Sequence, residues 1–151
     1  MAEQDDAAVV EYWKDHREQM RQSETQRGVL TNYVLVIAAA ISGFVVQQQF
    51  SLRTVPLSVL TMAIGLYGAV SVAKYHERAD YHLSQARALT RVLVQSGALP
   101  DASAGLEEAR QAHYGKYPRL SRLRLNWLWT SLHLGIALYG AALLIITCVA
   151  Q

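Results

Sequence analysis

Three stretches of this chain contain no aspartate, glutamate, lysine or arginine: residues 28–52, 54–73 and 125–151, which are 25, 20 and 27 residues long. The 12 acidic and 14 basic residues are crowded into the rest of the 151 positions. A hydrocarbon layer about 30 Å thick is crossed by roughly 20 apolar residues at about 1.5 Å rise each. Each stretch meets that length, and a water-soluble chain has no reason to sort its charges so completely. The expected fold class is therefore all-α, a polytopic membrane protein with three transmembrane helices at residues 29–50, 55–73 and 125–150. Residues 1–27 and 74–124 form a helical arm made of extensions of those helices. At about 100–200 residues to a domain, 1–151 reads as a single helical membrane domain.

Composition removes other classes. One cysteine, Cys148, cannot close an intrachain disulfide or build a multi-cysteine zinc site. Residues 1–27 are polar and carry no apolar run, so no cleaved signal peptide is expected and the first tract serves as an uncleaved anchor.

The basic residues set an orientation. Four lie in 1–27 (Lys14, Arg17, Arg21, Arg27), one in the first connection (Arg53), nine in 74–124, and none after residue 124. Positive charge is retained on the cytoplasmic side. The N-terminus and the long middle segment are thus expected in the cytoplasm, with the 47–54 turn and the C-terminus outside, in a bacterial inner membrane. Residues 1–27 carry a net charge of −3 and 74–124 a net +4, so the two cytoplasmic parts are matched and are expected to pack together.

Along the chain, residues 3–27 read as a polar helix running straight into the first span. Charge pairs at helical spacing support it: Lys14 with Glu18, Glu18 with Arg21, Glu24 with Arg27. Pro56 suits the first turn of the second helix. From there Ser58, Thr61, Gly65, Gly68, Val72, Tyr75, Ala79, His82, Ala86, Leu89 and Leu93 alternate spacings of three and four without a break. That seam predicts one helix from Pro56 to about Ser96, small-sided within the bilayer and larger beyond it, with the N-terminal helix beside it. Small residues four apart, Ala39 with Gly43 and Gly65 with Ala69, invite close helix contact within or between subunits. The 97–101 segment is a turn, with Asp101 or Ser103 capping a short helix over 102–114. Pro118 opens a last helix over 118–150.

Chemistry-bearing residues are sparse. His76, Glu77, Asp80 and His82 lie close together, but helical geometry sends them to different faces, so no metal site is expected. His133 lies inside the last span, where an ionisable group is costly and often functional. It reads either as a neutral imidazole bonded to a neighbouring helix carbonyl or hydroxyl, or as a gate or pore-lining group. Ser42, Ser58, Thr61, Ser71 and Thr147 can bond their own helices. Lys116, Arg119, Arg122 and Arg124, with Tyr114 and Tyr117 among them, form a juxtamembrane basic stretch. It reads as the cytoplasmic flank of a span, with Trp127 and Trp129 as interfacial anchors, or as a contact for anionic lipid or another anionic ligand. No phosphate-cradling loop, G-x-S-x-G, H-E-x-x-H or Cys/His pair is present, so neither catalysis nor a cofactor is expected, and a membrane-apposed basic strip is poorly placed for nucleic acid.

The aromatic pair Tyr12-Trp13 in a polar helix, the tight uncharged hairpin, and the cytoplasmic continuation Lys74-Tyr75-His76-Glu77-Arg78 together resemble the SLATT proteins over residues 8–97. These are small bacterial membrane proteins associated with nucleotide-signalling domains. The resemblance implies a membrane effector of antiphage defence that answers a nucleotide signal or sensor protein by permeabilising the membrane. This chain adds a third apolar helix to the two that mark the family. The expected function is a homo-oligomeric pore-forming or membrane-disrupting effector controlled through its cytoplasmic helices. The other reading is a non-conducting anchor that docks a cytoplasmic partner.

Overall fold

The computed structural model describes residues 2–149. Four helices make up most of it: α1 (Ala2–Gln47), α2 (Val55–Gln95), α3 (Ser103–Lys116) and α4 (Leu125–Val149), with 3-10 turns at Leu52–Thr54 and Leu120–Arg122. There is no strand among the described residues. Segments of α1, α2 and α4 are each long and apolar enough to cross a membrane.

Local chemistry explains where the helices stop. α1 ends at Gln47, short of the expected residue 50, because Gln49 and Phe50 adopt left-handed backbone with φ of 51° and 55°. A helix cannot continue through two such residues. α2 ends at Gln95; Gly97, at φ 80°, supplies the left-handed turn, and the Leu99 N–H donates to the Leu93 carbonyl at 3.0 Å. The N-cap of α3 is Ala102, not Asp101 or Ser103, and it lends no side-chain bond; the Asp101 carboxylate just before it accepts the Ser103 N–H at 2.9 Å. α3 runs to Lys116, past the expected stop before Gly115.

The last helix corrects the expectation. Residues 118–124 do not begin it: a 3-10 turn covers Leu120–Arg122, Leu123 is extended, and α4 opens at Leu125. A helix starting at Pro118 would set Arg119 and Arg122 at its positive N-terminal end, where cations are disfavoured. The expected last residue of that span, Ala150, lies outside the described residues.

The chain divides into two compact units, with boundaries close to the charge boundaries of the sequence. One comprises Glu24–His76 and Leu125–Gln151. Its interior is polar and small-sided: Thr31, Thr54, Ser58, Thr61, His133 and Thr147 are fully or almost fully buried, beside Val45 and Val72. Its large apolar side chains face outward, among them Val36, Ile37, Phe44, Tyr67, Val70, Leu138 and Ile145. That is the inverse of a soluble bundle, and it suits a surface solvated by hydrocarbon. Val34, Ala38 and Ile136, with Leu30 and Ile64, form its apolar cluster.

Glycine lets α4 approach α2 closely within this unit. A Cβ added to Gly65 would lie 2.8 Å from the Ala137 Cα, and one at Gly140 would lie 2.9 Å from the Met62 Cα. At Gly68 it would enter the His133 ring, 2.7 Å from Cε1. The other unit comprises Met1–Ser23 and Glu77–Arg124. Ser23, Ala79, Ala86 and Leu93 are buried in it, whereas no residue of α3 is.

Candidate functional site

The seam on α2 faces inward along its whole length. Ser58, Thr61, Gly65, Gly68, Val72, Ala79, Ala86 and Leu93 are buried, and Tyr75, His82 and Leu89 are partly so. Gly65 and Gly68 meet Ala137 and His133 of α4 in the same chain, which leaves that part of the seam no room for a second subunit. Ala39 and Gly43 lie on the exposed side of α1, and a Cβ at Gly43 would meet nothing within 4 Å. The α1 face that does turn inward carries Trp13, His16, Met20, Ser23, Arg27, Leu30, Val34, Ala38, Ile41 and Val45, again three and four apart.

Among the described residues His133 is the most deeply buried ionisable side chain, with no exposed surface. Its Nε2 lies 3.1 Å from the Thr31 hydroxyl oxygen, while the Thr31 hydroxyl donates to the Arg27 carbonyl at 2.9 Å. With that proton committed, the Thr31 oxygen accepts from His133 Nε2–H. The imidazole thus ties α4 to α1, and Gly68 on α2 supplies the space that its ring occupies. His133 Nδ1 has no hydrogen-bond partner. One turn away, the Arg27 guanidinium lies over the Trp129 ring, 5.3 Å from its centroid. Arg27 is 6% exposed, and neither its Nε nor Trp129 Nε1 has a partner. A buried donor left unmatched costs about 1–3 kcal/mol. Two such donors, one turn from the unpartnered acceptor His133 Nδ1, make this a polar place inside the three-helix unit.

The other unit holds a second imidazole contact. His16 Nδ1 and His82 Nδ1 are 3.0 Å apart, so one of them carries the proton and the other accepts it. Tyr12 stands edge-on to His16, and Tyr81 edge-on to His82. Partial burial, with His16 and Arg78 nearby, holds the His82 pKa below the ordinary imidazole value. Trp13 Nε1 donates to the Thr90 hydroxyl at 3.0 Å, and Arg78 donates to the Gln19 side-chain oxygen at 3.0 Å. These three contacts are not the ion pairs that matched net charges suggest. Within α1, Glu18 pairs with Arg21, and Lys14 turns to Glu11 at 3.6 Å rather than to Glu18.

Among the described residues no three His, Cys, Asp or Glu side chains gather as metal ligands. Lys116, Arg119, Arg122 and Arg124 are all exposed and strung along the end of α3 and the turn after it, with the Lys116 ammonium over the Tyr117 ring. Ser42, Ser58 and Thr61 bond the preceding turn of their own helices, but the buried Thr147 hydroxyl has no partner. His16, Thr31 and Arg27 are the residues that pattern reading overlooks. For His16 and Arg27 the signal is the three-and-four spacing on α1, masked because His16, Ser23 and Arg27 in that row are polar; Thr31 lies beside the row. No known protein family, curated protein or solved structure matches this chain.

Proposed function

We propose that the chain is a small bacterial membrane effector of the SLATT kind, with three helices in the inner membrane. Residues 1–27 and 74–124 form its cytoplasmic arm, as the distribution of basic residues favours. Its output is permeabilisation of the membrane by a homo-oligomer, on a signal received by the arm from a sensor protein or nucleotide. The observation that carries this reading is the inversion of the three-helix unit. Hydroxyls, glycines and an imidazole line the inside together with Val34, Val45, Val72, Ile136 and Leu143, while most of the large apolar side chains face out. Intramembrane ionisable groups mark ion paths and gates by default. A closed stripe of this composition becomes a pore lining when α4 separates from α1 and α2, with His133 as the gate. Lys116, Arg119, Arg122 and Arg124 bind anionic headgroups and couple the arm to the bilayer, at about 1 kcal/mol per basic residue.

A second reading has its own observation. With Gly65 and Gly68 already covered by α4, the unit is complete as a monomer. A non-conducting anchor whose exposed α3 docks a cytoplasmic protein also fits. Purified protein in liposomes and planar bilayers, with and without cell lysate, separates the two. Dye release with discrete conductance steps is expected. Silence under both conditions refutes the effector and leaves the anchor.

A further inference from the structure

Two obligate N–H donors, Arg27 Nε and Trp129 Nε1, are buried without an acceptor on facing stretches of α1 and α4. Neither can accept a hydrogen bond in any protonation state that matters, so only an acceptor brought from outside the chain satisfies them. The guanidinium keeps its charge under all conditions, and among the described residues no carboxylate pairs with it. Glu24, the nearest acid along α1, is exposed. The guanidinium lies over the Trp129 ring, and that contact leaves its Nε–H without an acceptor. Both residues also sit where charge ends: Arg27 is the last charged residue before the uncharged 28–52 tract, and Trp129 lies in the second turn of α4. On the membrane topology proposed above this is the level of the bilayer phosphates, and arginine with its fork of N–H donors is well matched to phosphate.

We infer that Arg27 and Trp129 form a binding site for an anionic phosphate oxygen, supplied by a phospholipid headgroup or a soluble phosphate. The site spans α1 and α4, so occupancy fastens the third membrane helix to the first beside the Thr31–His133 bond. It operates whether or not the chain conducts.

The test is thermal unfolding of the full chain in a phosphate-free sugar detergent. The additions are dioleoylphosphatidylglycerol, dioleoylglycerol (the same chains without phosphate) or inorganic phosphate. Phosphatidylglycerol at roughly ten times its dissociation constant is expected to raise Tm by about 3–6 °C. Trp129→Phe keeps the ring under Arg27 and removes only the N–H; Arg27→Lys keeps the charge and removes Nε–H. Both variants are expected to lose most of the shift, and if Arg27→Lys does not fold, Trp129→Phe decides alone. A shift reproduced by inorganic phosphate assigns the site to soluble phosphate, and one seen only with phosphatidylglycerol assigns it to the lipid. Equal shifts with dioleoylglycerol, an undiminished shift in Trp129→Phe, or no shift with either phosphate source overturns the site.

Discussion

The two units are made from the same pair of long helices, and they solve helix contact in opposite ways. The three-helix unit brings backbones together over Gly65, Gly68 and Gly140 and hides hydroxyls and an imidazole between them. The unit built from the first part of α1 and the latter part of α2 keeps its helices joined by longer side chains. There Trp13 reaches Thr90, His16 meets His82, and Arg78 reaches Gln19. Lipid offers no hydrophobic reward for bringing helices together, so close packing and hydrogen bonds must hold them. The other unit carries most of the charged residues, and partly exposed aromatic and polar contacts join its helices. The spacing of three and four is common to both units; the residues that fill it differ.

The largest expected effect tests the glycine contacts. Gly65→Ala should destabilise the protein by about 1–3 kcal/mol through overpacking against Ala137. Gly43→Ala, in open space, should be neutral or stabilise by up to about 1 kcal/mol through helix propensity. Thermal unfolding in detergent reads both, and equal behaviour would erase the distinction between inner and outer glycines. Next come deletions of one interhelical hydrogen bond in each unit, Thr31→Val also losing its bond to the Arg27 carbonyl. Trp13→Phe should cost about 0.5–1.5 kcal/mol, and Thr31→Val about 0.6 kcal/mol. Amide exchange should localise the first loss to 6–23 and 77–95, and the second to α1 near Thr31 and α4 near His133. Protection lost across the whole chain in either variant would mean that the units do not respond separately.

The smallest effect is a pH response confined to the histidine pair. The folded pKa of His82 lies below the ordinary imidazole value, so folding favours its neutral form. The stabilisation is therefore fully present above about pH 6.5 and is lost as pH falls through that value toward the lowered one. Amide protection over 77–95, corrected for the intrinsic pH dependence of exchange, should fall between pH 7.5 and 5.5 in the wild type. His82→Gln, which keeps a polar group there, should flatten the response; an unchanged slope would remove the pair from any pH sensitivity.

Some of this architecture can be read from residues alone. Charge segregation announces the three apolar helices, because an unpaired charge in hydrocarbon is too costly to hide. The α2 seam is visible because glycine, serine, threonine and alanine recur at a fixed spacing. Its α1 counterpart is not visible, because His16, Ser23 and Arg27 count as surface residues until something is known to lie opposite them. The break before α4 is hidden for a related reason: Pro118 signals a helix start, but the arginines that follow it oppose one there. His133 shows both sides of this. Its cost at that depth is evident from its position, whereas its partner, Thr31, is 102 residues away and only folding brings the two together.

That separation also sets an order of events during synthesis. When α1 and α2 leave the ribosome, Thr31 satisfies its hydroxyl on the Arg27 carbonyl of its own helix, and Ser58 and Thr61 do likewise on α2. The hairpin can thus wait in lipid with its polar groups provisionally bonded, but its glycine groove stays open until α4 emerges. A chain cut short after the middle segment would keep that groove empty, shaped to accept the α4 of a full-length neighbour.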